Sequence, residues 1–232
     1  MKRLLTIVLL LAASMVVAAQ EKVEATVASD IVSQYVWRGQ ELGGVSMQPS
    51  LGIAYKGFEL AAWGSVGLAD PDDDTEIDIT VSYSIGRMNI GLTDYWVNSP
   101  EQRYFLYDAH RTSHVFEANV GYDLGVASIQ WYTNFAGNDG ENNSGKRAYS
   151  SYVEATVPFS LGGCDWEASV GVVPHATTYY DTSGLAVTNL SVKATKTIAL
   201  SSHFSLPVFA QLAANPCTQK AFLVFGLTLS AH

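Results

Sequence analysis

From Val23 onward the chain alternates apolar and polar side chains with a period of two, in segments of roughly ten to thirteen residues separated by turn-forming clusters. That period belongs to a strand with one oily and one wet face, because a helix would scatter the same residues around its circumference. Between Thr75 and Ile85, Ile77, Ile79, Val81, Tyr83 and Ile85 share one face, and Glu76, Asp78, Thr80, Ser82 and Ser84 the other. Between Ala127 and Phe135, Ala127, Ile129, Trp131 and Phe135 oppose Ser128, Gln130, Tyr132 and Asn134. Segments of this length exceed an ordinary soluble strand and suit one that crosses a bilayer at a tilt.

The same reading predicts strands near residues 23–37, 45–55, 58–69, 75–85, 88–98, 114–123, 126–136, 148–160, 164–176, 187–200, 204–213 and 219–230. The connections alternate in character. Lys56-Gly57, Gly86-Arg87, Asp123-Leu124-Gly125 and Leu161-Gly162-Gly163 are tight, whereas residues 99–113, 137–147 and 177–186 form long polar stretches. Short periplasmic turns facing longer outer loops are the pattern of the bacterial outer membrane. The expected fold is therefore all-β, a transmembrane antiparallel up-and-down barrel of about twelve strands.

Aromatic placement supports this. By parity Tyr55, Phe58, Tyr83, Tyr122, Phe159, Trp166 and Phe204 point outward beside the tight turns, and Tyr35, Trp37, Phe135, Tyr149 and Phe222 point outward near the opposite rim. Membrane barrels gather aromatics at both interfaces. A soluble β-sandwich would also alternate, but it has no reason to sort aromatics to strand ends.

Residues 1–19 read as a cleaved signal peptide: Met1-Lys2-Arg3, an apolar run from Leu4 to Val17, then Ala18 and Ala19. The run is too short to span a bilayer. Cleavage after Ala19 leaves one barrel domain, residues 20–232, which is then secreted into the Gram-negative envelope. After residue 19 no apolar run is long enough for a transmembrane helix, so any crossing must use strands.

The net charge of -9 and the lack of a basic patch argue against nucleic acid as a partner. Outer-membrane lipid and small solutes are the expected partners, and no cofactor is expected. The inward parity collects Glu24, Asp30, Glu59, Glu76, Asp78, Glu117, Glu154, Asp165 and Glu167 against Arg38 and Lys193. An open lumen lined this way should carry a negative potential and prefer cations. In a plugged interior the same acids would hydrogen-bond to lumen tyrosines, serines and asparagines. Arg38, at the outer end of the first strand, is either a charge that narrows a pore or the partner of a lumen carboxylate.

Other polar clusters read as bland. Asp70 to Asp74 crowds carboxylates into one turn but lacks the glycine and spacing of a calcium loop. His110, His114, His175, His203 and His232 form no metal-binding spacing and read as incidental loop histidines. No local serine motif supports a Ser-His enzyme. Cys164 follows a tight turn while Cys217 follows a connection at the other end of the strands. The two should lie at opposite rims, too far apart for a disulfide.

The segment Ser33-Gln34-Tyr35-Val36-Trp37-Arg38-Gly39, with Phe58 through Trp63-Gly64-Ser65 and Asn215-Pro216 through Phe225-Gly226-Leu227, resembles the Gcw_chp family of conserved hypothetical bacterial outer-membrane proteins. The resemblance implies an exported barrel without an assigned activity. Together these readings lead to a narrow, porin-like, cation-preferring channel that is not an enzyme. A non-conducting structural or partner-binding barrel is the second expectation, and a membrane-embedded lipid-modifying enzyme a distant third.

Overall fold

Two-residue turns set the wall in motion. Lys56 and Gly57 both adopt positive φ (50° and 84°), as do Gly162 and Gly163 (63° and 72°). This left-handed pair matches the twist of flanking strands and returns the chain directly alongside itself. The computed structural model describes residues 23–70, 73–98, 103–108, 111–201 and 205–231. The signal-peptide region and Phe204 thus lie outside the described residues.

The strands are β1 (Glu24–Val32), β2 (Tyr35–Trp37), β3 (Gln40–Gly43), β4 (Ser46–Tyr55), β5 (Phe58–Gly67), β6 (Glu76–Ile85), β7 (Met88–Val97), β8 (His114–Asp123), β9 (Ser128–Gly137), β10 (Ser151–Leu161), β11 (Cys164–Val173), β12 (Ala186–Ala199), β13 (Ser205–Asn215) and β14 (Lys220–Ala231). β1 and β4 through β14 pair antiparallel with their sequence neighbours, and β1 also pairs with β14, from Val27 opposite Ala231 to Val32 opposite Gly226. The result is a closed twelve-stranded barrel without an exposed sheet edge. β2 and β3 form a separate hairpin.

The exterior is apolar. Val27, Leu51, Leu60, Val81, Ile90, Leu92, Leu212 and Leu223 are each about half exposed. Water would penalise so continuous a band, whereas lipid is the solvent it matches. Phe58 packs on Tyr83 at 4.4 Å between ring centroids, and Phe159 stacks on Trp166 at 6.0 Å, both pairs beside the tight turns. The barrel therefore spans a membrane, tight turns on the periplasmic side by the general rule for such barrels.

Two sequence-based expectations fail here. The first strand does not run to residue 37: it ends at Val32, the Ser33 amide donates to the Phe225 carbonyl at 2.8 Å, and the chain then turns into the lumen. Tyr35 and Trp37 accordingly do not face lipid. Phe222 is also inward, 7% exposed, in a cluster with Val32, Phe209, Ala213 and Val224. The segment Ala221-Phe222-Leu223-Val224-Phe225 is apolar on both parities, so alternation cannot orient it.

The cysteines follow the expected topology. Cys164 begins β11 at the periplasmic end, Cys217 sits in the outer β13–β14 connection, and both are free thiols.

Candidate functional site: a plugged lumen

The hairpin of β2 and β3 turns at Trp37-Arg38-Gly39-Gln40, with φ of 49° at Arg38 and 78° at Gly39. Glycine accepts this conformation freely, but for arginine it costs about 1–2 kcal/mol. At Gly39 glycine is also demanded by space, since an added Cβ would sit 1.8 Å from the Thr188 carbonyl oxygen of β12. The tip of the hairpin is thus pressed against the far wall.

Contacts on every side seat it there. The Tyr35 hydroxyl donates to Glu76 at 3.0 Å, and its ring lies 5.5 Å from Trp63. Val36, on the opposite face, packs against the Val32, Phe209, Ala213, Phe222 and Val224 cluster. Trp37 meets Tyr95 edge-on and stacks on Tyr180. Asn215 donates to the Gly39 carbonyl at 3.1 Å, and the Gly44 amide to Asp73 at 3.3 Å.

At the tip, Arg38 forms a two-pronged ion pair with Glu117 of β8, Nη1 donating to Oε2 at 2.6 Å and Nη2 to Oε1 at 2.9 Å. Nη1 also donates to the Tyr180 hydroxyl at 2.6 Å. The guanidinium carbon lies 4.3, 4.0 and 4.7 Å from the ring centroids of Trp37, Tyr132 and Tyr152. Tyr95 donates a further hydrogen bond to Glu117 at 2.8 Å. The two charged side chains are only 7% and 2% exposed. Burial opposes the charge on Arg38, but the Glu117 carboxylate bonded to it outweighs burial and holds its pKa well above the usual value. Burial pushes the Tyr180 phenol up to about 12, so it stays a neutral donor and acceptor.

A second segment closes over the hairpin. The turn Thr178–Tyr180 is capped by Thr177, whose hydroxyl accepts from the Tyr179 amide at 3.0 Å, and is ended by Asp181 at φ 52°. This brings Tyr179 and Tyr180 onto Trp37, at 6.4 and 6.2 Å between centroids. A cavity of about 410 Å³ persists at the outer end, lined by Tyr35, Trp37, Glu76, Tyr95 and Tyr179 among others.

The residues expected on the inward face divide into two groups. Arg38, Glu76, Asp78, Glu117 and Glu154 lie in the outer half, with Glu154 accepting from Tyr152 and from Asn189. Asp30, two residues from the outer end of β1, accepts from Thr228 at 2.6 Å. Glu24, Glu59, Asp165 and Glu167 are exposed towards the periplasmic end. Lys193 lies opposite Glu167 in the ladder and sits 4.1 Å over the Phe209 ring. Arg38 and Glu117, far apart in sequence, are brought together, but not by a continuous first strand. Tyr95, Tyr152 and Tyr180 escaped the sequence reading, and Tyr132 was placed on the wet face without a role. An inward parity for Tyr95 and Tyr152 and a Tyr179-Tyr180 pair in a long loop were the available signals.

His114 is not the incidental loop residue expected. It is fully buried at the outer rim on the lipid-facing parity, with Nδ1 at 2.7 Å from Asp94 and Nε2 at 2.6 Å from the Tyr104 carbonyl. Tyr107 stacks on the ring at 4.3 Å. Nε2 straps residues 103–108 down on the outside of the wall, while Nδ1 fixes the ring to β7.

No family model and no curated protein sequence matches the chain. Among solved structures, similarity extends to the KdgM porin at a TM-score of 0.46 and 7% identity, covering 89% of this chain and 99% of that one. The NanC porin gives 0.47 and 7%, over 90% and 100% of the two chains. An outer-membrane channel of Pseudomonas putida F1 gives 0.43 and 12%, over 92% and 98%. The closed wall, apolar belt and turn asymmetry are the architecture of the bacterial outer membrane, and that is where this barrel resides.

Proposed function

We propose that the chain is an outer-membrane channel for small solutes, preferring cations, whose constriction is the hairpin of residues 35–43. One observation carries the reading: carboxylates line the periplasmic half of the lumen while a single tethered hairpin, rather than inward side chains alone, occupies the outer half. A lumen meant only to be solid would be filled from both ends by its own wall. Glu24, Glu59, Asp165 and Glu167 outnumber Lys193 there, which supports a negative approach to the constriction. The signal peptide over residues 1–19 and kinship with the Gcw_chp proteins belong to the same reading, and both rest on sequence alone.

The plug also favours a second reading, a barrel that never conducts. Planar-bilayer recording separates the two. Wild-type protein should give small, intermittent currents. Replacing residues 34–42 by a short glycine-serine link should give a steady pore, with a reversal potential under a salt gradient on the cation side. Silence from the shortened protein would establish the non-conducting barrel, and anion selectivity would refute the charge assignment.

A further inference from the structure

We propose that the cage around Arg38 is a recognition site for a guanidinium cation, filled here by the chain's own arginine, and that solutes bearing a guanidinium group compete for it.

The wall supplies four of the six groups that make the cage. Glu117 stands on β8, Tyr95 on β7, Tyr132 on β9 and Tyr152 on β10, four successive strands whose spacing the hydrogen-bonded ladder fixes. Only Trp37 and Arg38 come from the hairpin, and Tyr180 from the loop above. Such a site is preorganised and survives the departure of its occupant. Room for it is built into the wall as well, since at Gly171 an added Cβ would overlap the Tyr152 hydroxyl at 1.9 Å.

Its chemistry selects a planar fork. Glu117 presents both oxygens to two different nitrogens of Arg38, a pattern that guanidinium matches and an ammonium point charge does not. Three aromatic faces within 4.7 Å favour a flat, weakly hydrated cation. Tyr95 supports the carboxylate from behind, and the Tyr180 oxygen takes a third N–H.

The geometry of the hairpin makes Arg38 a tethered competitor: its loss leaves Glu117 without its cation and costs stability, but the hairpin does not hang on it alone. Its other anchors, Tyr35 to Glu76, Val36 in the apolar cluster and Asn215 to Gly39, do not involve the guanidinium. Truncating Arg38 therefore hollows out the cage without releasing the hairpin. Tethering also raises the local concentration of the internal arginine, to the order of millimolar or above, so a free solute displaces it only when abundant.

Naming the solute class rests on the channel reading above; the binding site itself does not. The test begins off the membrane, with Arg38→Ala refolded in detergent and titrated with methylguanidine and with methylamine by calorimetry. Methylguanidine should bind saturably, roughly tenfold or more tighter than to wild type and than methylamine to the same variant. Adding Glu117→Gln to Arg38→Ala should weaken that binding by about tenfold or more. Arg38→Lys, which keeps a cation in the cage, provides a second folded variant in which methylguanidine should compete more readily than in wild type. Heat-dependent gel mobility confirms closed barrels throughout. A closed variant that binds neither cation, or binds both alike, overturns the proposal.

Recording with Arg38→Ala then tests the solute. Methylguanidine should block or slow its currents in the concentration range of binding. Binding without current would keep the site and remove the channel, whereas current that methylguanidine leaves untouched would keep the channel and overturn guanidinium compounds as its solutes.

Discussion

The two halves of the lumen solve the same electrostatic problem in opposite ways. In the outer half, Glu117 and Glu76 are buried and satisfied by Arg38, Tyr95 and Tyr35. In the periplasmic half, Glu24, Glu59, Asp165 and Glu167 stay exposed. A buried carboxylate needs a partner because water is excluded, whereas an exposed one is already solvated. Charge in the outer half is therefore architecture, and charge in the periplasmic half is available to ions.

The largest expected effect comes from breaking the buried pair on one side only. Glu117→Leu strands the Arg38 charge and should cost about 3–5 kcal/mol, while Glu167→Leu at the other end should stay within about 0.5 kcal/mol. Urea unfolding followed by gel mobility measures both. Equal costs would erase the distinction between the halves.

The next effect tests the frame on which that distinction stands. Val81→Arg or Ile129→Arg, on the lipid face, should destabilise by about 2–4 kcal/mol in a bilayer, strongest near the midplane, and Ser82→Arg or Gln130→Arg far less. Folding titrations into liposomes read this directly, and similar values for the two sets would mean that inward and outward are misassigned.

How much of this was legible follows from what kind of order each part has. The wall was readable because its order is local: Ile77, Ile79 and Val81 declare a lipid face within five residues. The plug was not, because Tyr35-Val36-Trp37 continues an acceptable strand pattern past Val32, and nothing nearby says that the chain has left the wall. Arg38-Gly39 between two short alternating runs was a usable hairpin signal, weakened by arginine where asparagine or glycine is the common choice. Lumen acids were found by parity, but Tyr180, which meets Arg38, and Tyr104, which meets His114 outside the wall, arrive on loops whose path no periodicity encodes.

A smaller effect separates the two kinds of glycine turn. Gly162→Ala, with open space around the missing Cβ, should cost only the left-handed conformation, about 1–2 kcal/mol. Gly39→Ala faces the Thr188 carbonyl as well and must push the hairpin off the wall, which bilayer recording should register as a larger or more frequent current. An unchanged current would show that the tip is not pressed against β12.

The smallest perturbation changes no stability and fixes the sides. An impermeant thiol reagent added to intact cells should modify exposed Cys217 and spare Cys164. Labelling of Cys164 alone would invert the barrel and place the plugged half towards the periplasm.

The hairpin hangs from β1, the first strand made, and β1 finds its second neighbour only in β14, the last. Residues 36 and 39 dock on β13 and β14 as well, through the Val36 cluster and Asn215. Sealing the seam and capturing the plug are therefore a single late step, delayed until nearly the whole chain has emerged, and contacts of such sequence separation form slowly. Refolding should accordingly show tryptophan burial at residue 37 and the gain of heat-resistant gel mobility on one time course, and a clear lag between them would show that the wall closes first.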